Sequence, residues 1–254
     1  APTTSVAAAP AGAVYASLGD SYSSGEGNPP FDPGTDQPGT NRCHRSAKAW
    51  PRLLGVSITM HLACSGAVID DIPGQLAQLT QLRPLPTVVF LTIGGNDLGF
   101  ASVIAGCFTH APGAPCWSET AYKAARLRLT STVGPKLEAT YRAIKAALPG
   151  ARIIVASYPS LFAADGTNLG CPVVDAASQA RIVAGGKELA AEIRTRAKAA
   201  GVEFVDLFGA YPGHELCTGD SYLGAVNIAN AITGAAAHPT AKGNAAMATA
   251  GAKY

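Results

Sequence analysis

The run Thr87-Val88-Val89-Phe90-Leu91-Thr92-Ile93 constrains this chain more than any other stretch. It is almost continuously apolar and β-branched, so neither face of the segment is suited to water. A central parallel strand covered by helices on both faces has this pattern. The run breaks abruptly at Gly94-Gly95-Asn96-Asp97. In an open α/β sheet, such a break lies at the C-terminal edge of the strands, where ligands gather.

Four more strands are expected around it, at Val14 to Leu18, Val56 to Leu62, Arg152 to Ser157 and Val202 to Leu207. In the second, Val56, Ile58, Met60 and Leu62 alternate with Ser57, Thr59 and His61. This is an edge-strand pattern, with His61 on the exposed face. Helices are expected from Ser46 to Leu54, from Asp71 to Leu82 and from Tyr122 to Leu148, the last divided or kinked near Gly134-Pro135. A long helix from a capping Asp175 to Ala200 turns Ile182, Leu189 and Ile193 inward, and a terminal helix runs from Pro239 to Ala250. Between them lie a Gly/Pro/Asp-rich loop from Gly25 to Cys43, a loop holding Cys107 and Cys116, and an irregular segment carrying Cys171. Strands alternating with helices imply a single-domain three-layer α/β/α fold with a five-stranded parallel, flavodoxin-like sheet and right-handed crossovers. No internal repeat or linker divides the 254 residues, so the expected domain is 1–254, with 1–12 a flexible N-terminus.

A net charge of +2 with no Lys/Arg cluster argues against nucleic acid as a partner. The apolar runs fall far short of the ~20 residues that span a bilayer, so no transmembrane segment is expected. None of the six cysteines forms a Cys-x-x-Cys pair, which argues against zinc and thioredoxin-like sites. Their even number and wide spacing fit three disulfides in an oxidising compartment, with fifteen pairings open and six free thiols as the alternative. All six follow strands, so the bonds would brace loops at one edge of the sheet. The small, polar start Ala1-Pro2-Thr3-Thr4-Ser5, without an initiating Met, suits a mature secreted chain. His44, His61, His110 and His214 lack metal-ligand spacing and read as structural or surface residues. No phosphate-binding glycine loop, Gly-x-Ser-x-Gly elbow or zincin motif occurs. The expectation is a monomer without cofactor or metal.

Four pieces fall on one sheet edge: Ser21 in Gly19-Asp20-Ser21, Gly66 after the second strand, Asn96 after the third, and His238 before Pro239. Acyl transfer by a serine needs a nucleophile, a base to take its proton and donors aimed at the developing oxyanion. In these blocks and their order the chain resembles the SGNH (GDSL) hydrolase superfamily, and with its loop cysteines it looks most like the secreted actinobacterial lipase/esterase branch. The resemblance implies Ser21 as nucleophile and His238 as base, with Ser21 N–H, Gly66 N–H and the Asn96 amide as oxyanion hole. It also implies the pairs Cys43–Cys64, Cys107–Cys116 and Cys171–Cys217, and a small-molecule or lipid ester with fatty acyl chains as substrate. The apolar Leu98, Phe100, Val103 and Ile104 suit an acyl groove, with a place in the core as the alternative.

The chain departs from the family at the acid. The pattern Asp-x-x-His requires Asp at 235, but the sequence reads Ala235-Ala236-Ala237-His238. Relatives lacking the Asp use the carbonyl two residues before the His, here that of Ala236. This gives a Ser–His dyad with a backbone orienter, a remote carboxylate such as Asp206 being the alternative. An acyltransferase using the same acyl-enzyme and a non-catalytic binding module are the competing readings.

Overall fold

Five parallel strands pair in the order β2-β1-β3-β4-β5, where β1 is Tyr15–Gly19, β2 Ile58–His61, β3 Val88–Thr92, β4 Arg152–Ala156 and β5 Glu203–Val205. This is the expected flavodoxin-like order. The computed structural model describes residues 12–108, 115–163, 171, 174–225, 227, 229–230 and 234–252. The expected flexible N-terminus, apart from Gly12, and His110 lie outside these residues. No helix among them is long and apolar enough to cross a membrane.

Alternation along the central strands divides the core into two layers. Val88, Phe90, Ile154 and Ala156 point to one face with Trp50 and Met247. Val89, Leu91, Ile153 and Val155 point to the other, against Ile72 and Leu79 of helix α2 (Ile72–Leu79) and Leu137, Tyr141 and Ile144 of helix α5 (Gly134–Ala147). Both faces of β3 are therefore buried, as its apolar run requires.

Several local expectations are corrected. The segment after Asn96 is helix α3, Phe100–Phe108, so Cys107 is helical rather than in a loop. Phe100, Val103, Ile104 and Cys107 keep the i, i+3, i+4, i+7 spacing that lays one apolar face on the core. Only a 3₁₀ turn, Trp50–Leu53, forms around Pro51, where a short helix was expected. Helix α4 (Glu119–Arg128) joins α5 through a π turn at Leu129–Val133, just ahead of Pro135, whose missing N–H breaks the regular ladder. His61 is buried, because the loop after β1 covers the edge strand and the Ser24 carbonyl meets its Nε2 at 3.2 Å. Helix α6 (Ala176–Ala200) starts as expected, with Asp175 accepting the Ser178 N–H at 2.9 Å. The C-terminal helix Ala241–Gly251 is capped by Thr240.

Candidate active site

The strand order reverses direction between β1 and β3, and Ser21 and Asn96 leave the sheet from these two neighbours. Ligands of open α/β sheets bind at this switch point. Gly19 ends β1 with φ +119°, and a β-carbon there would collide with the Thr92 carbonyl of β3. Glycine is needed for that approach. The Gln75 amide fixes this strand end by accepting Gly19 N–H at 2.7 Å and donating to Gly19 O at 2.9 Å.

Ser21 opens the short helix α1, Ser21–Ser24, with Asp20 as its N-cap. The Asp20 carboxylate is buried and accepts from Tyr22 N–H at 3.1 Å, from the Thr92 hydroxyl at 2.8 Å and from the Tyr158 hydroxyl. Burial outweighs these donors and pushes its pKa up to about 6. Tyr158, two residues beyond β4, also accepts the Gly95 N–H at 3.1 Å.

Asn96 and Asp97 stitch the β3 turn to the Gly66 turn. Asn96 Nδ2 donates to Ala67 O at 2.9 Å, and the Asp97 carboxylate accepts Ile69 N–H at 3.1–3.2 Å. Gly66 itself has φ +81°, in a turn that starts at Cys64, whose N–H donates to Gly19 O at 2.9 Å. Cys43 and Cys64 are joined by a disulfide, as are Cys107 with Cys116 and Cys171 with Cys217.

His238 reaches the same point from the far end of the chain, and its Nε2 lies 2.9 Å from Ser21 Oγ. Its loop is held by Tyr22, which donates to Ala237 O at 2.7 Å, and by the Asn28 amide, which donates to Pro239 O at 2.7 Å. Among the described residues the buried Nδ1 has no hydrogen-bond partner, while the carbonyls of Gly234 and Ala236 act to favour a proton on the ring. Burial dominates and lowers the His238 pKa, leaving a neutral ring whose Nε2 accepts from the serine hydroxyl. Asp206 takes no part here. Its carboxylate is held by Ser157 Oγ at 3.1 Å, Phe208 N–H at 3.0 Å and the Arg194 guanidinium.

Ser21 and His238 stand in the wall of a cavity of about 580 Å³ whose other sides include Phe100, Ile104, Leu161 and Phe208. Of the four apolar residues expected along an acyl chain, Phe100 and Ile104 line it. Leu98 and Val103 instead pack into the core. Asp20, Glu26 and Tyr158 were not singled out from the sequence as site residues. Asp20 and Tyr158 carried a usable signal, since each follows a strand at the ligand-binding edge.

Residues 17–246 match the GDSL-like Lipase/Acylhydrolase family. A curated relative, Lipase 1 of Streptomyces coelicolor, is 36% identical over 246 residues, covering 94% of this chain and 86% of that protein. The crystal structures of an extracellular lipase from Streptomyces rimosus and of phospholipase A1 from Streptomyces albidoflavus each superpose with a TM-score of 0.79. Each is 31% identical in sequence and covers 94% of this chain and 97% of the other.

Proposed function

The chain belongs to the GDSL-like lipase/acylhydrolase family, and we propose that it is a secreted serine hydrolase of fatty acyl esters working through a Ser21 acyl-enzyme. The observation that carries this reading is the 2.9 Å approach of His238 Nε2 to Ser21 Oγ at the wall of a largely apolar cavity. His238 takes the serine proton as Oγ attacks the acyl carbonyl. Asn96, with the N–H groups of Ser21 and Gly66, receives the oxyanion. The protonated ring then gives its proton to the leaving alcohol, and water activated by His238 releases the acid.

The apolar lining favours an acyl chain over a sugar or peptide, and relatives named lipase and phospholipase A1 support lipid esters as the substrate class. Three disulfides and the extracellular relative support secretion.

Hydrolysis of p-nitrophenyl esters from acetate to palmitate tests the reading. The expected result is turnover by the parent, none by Ser21→Ala, and a loss of roughly 10²–10³ in kcat for Asn96→Ala. An undiminished rate in Ser21→Ala would refute the acyl-enzyme.

A further inference from the structure

Glu26 is a buried acid that this mechanism does not use. It is 3% exposed, and a carboxylate at that depth needs partners. Its Oε2 meets His44 Nδ1 at 2.6 Å and its Oε1 accepts Gly27 N–H at 3.1 Å. His44 is buried too; its Nε2 lies 3.2 Å from Asp36 Oδ1, and its ring stacks on Phe31 with centroids 4.6 Å apart. The His44 backbone has φ +47°, a conformation that persists only where its surroundings enforce it.

This pair abuts the loop that carries His238. A β-carbon on Gly234 would collide with Glu26 Oε1, and one on Gly27 would stand 2.8 Å from Ala235 Cα. The backbone at 234–235 therefore lies directly against residues 26–27. Position 235, where the family pattern has its acid, holds Ala packed on Gly27, while a carboxylate approaches the same loop from Glu26.

We propose that Glu26, held by His44, is a positioning residue that replaces the absent triad acid. It fixes the Gly234 turn beside His238 and brings a carboxylate against the loop that carries the ring, favouring the imidazolium formed when Ser21 loses its proton. The inference rests on the Ser21–His238 reading of the reaction. Among the groups that hold the His238 pKa up against burial, Glu26 acts most strongly, and His44 opposes it. The ring's other neighbours, Ser21 Oγ at 2.9 Å and the Tyr22 phenol with centroids 5.6 Å apart, are uncharged.

The His238 ring is titrated by NMR in Ser21→Ala protein, with and without Glu26→Gln, so the readout does not depend on turnover. The expected midpoint in Glu26→Gln is lower by about one pH unit, and in protein retaining Ser21 the kcat for p-nitrophenyl butyrate falls about tenfold with KM within about twofold. An unmoved midpoint overturns the inference even if the melting temperature falls, because loss of bracing alone would do that. If Glu26→Gln does not fold, Glu26→Asp is titrated instead. Drawing the carboxylate back from the Gly234 turn should lower the His238 midpoint, and an unchanged or raised one overturns the inference. A midpoint that moves as expected in a protein inert toward every ester would refute the ester reading and leave the Glu26 arrangement standing.

Discussion

The Tyr158 hydroxyl donates to the buried Asp20 carboxylate and, on the same oxygen, accepts the Gly95 N–H. One phenol thus ties the residue before Ser21 to the residue before Asn96, across the ends of three strands. Tyr158→Phe leaves the buried Gly95 N–H unpaired, at a typical cost of about 1–3 kcal/mol, and removes one of the three donors on Asp20. It also frees the turn that aims Asn96. An oxyanion donor acts on the transition state more than on bound substrate. Steady-state ester kinetics should therefore show kcat reduced about tenfold, with KM within about twofold.

The pH profile follows from His238 as the proposed base. Burial lowers its pKa, and Glu26 and the carbonyls of Gly234 and Ala236 only partly offset this. The base works when neutral, so activity is lost as pH falls through the folded-state value. The acid limb of kcat/KM should have its midpoint below the ordinary histidine value of about 6.5. A profile of kcat/KM from pH 4 to 8 reads that midpoint directly.

The sheet was legible because Thr87 to Ile93 leaves no face for water, which places β3 at the centre and its terminal loop at the ligand edge. Ser21, Asn96 and His238 could be placed by the same logic, each lying next to a strand end or a helix start. Helix α3 was obscured because Cys107 was read as a loop cysteine, although its apolar spacing with Phe100, Val103 and Ile104 was present. His61 alternates like an exposed residue, but cover from the loop after β1 is a tertiary fact that period-2 patterning does not encode. The same holds for Asp20 and Glu26. Their surroundings come from partners as distant in sequence as Tyr158 and Gly234.

Two buried groups give opposite pH dependences of stability over one window. Asp20 is raised from 3.8 to about 6 in the fold, so the folded chain keeps a proton the unfolded chain has released. Its contribution is present at low pH and lost as pH rises through about 6. His61 is lowered from 6.5 to about 4 by burial and by Arg52, so the unfolded chain takes the proton first, and its contribution is lost as pH falls toward 4. Relative to the parent, Asp20→Asn should gain roughly 2 kcal/mol between pH 4 and 6, and His61→Gln should lose a similar amount. Urea unfolding at pH 4, 5 and 6 measures both slopes, and each variant's difference from the parent cancels the remaining titrations.

Gly186 of α6 lines the cavity proposed to take the acyl chain. It lines the wall near Phe208, and a β-carbon there would stand 3.0 Å from Phe208 Cε2. Glycine inside a helix costs about 1 kcal/mol relative to a good helix former, so the position gives up helix stability where Phe208 packs against it. In Gly186→Leu the side chain gains helix propensity and must displace Phe208, which lines the same cavity, so the cavity narrows. Each methylene denied burial forfeits about 0.8 kcal/mol, so excluding three or four lowers kcat/KM for long chains by roughly 10². Acetate and butyrate esters, which need little of the cavity, should hold their kcat/KM within about twofold. A p-nitrophenyl ester series measured on parent and variant would then show the optimum moving to shorter chains, and a uniform fall across the series would instead mean that the side chain disturbs Ser21 and His238 rather than the acyl path.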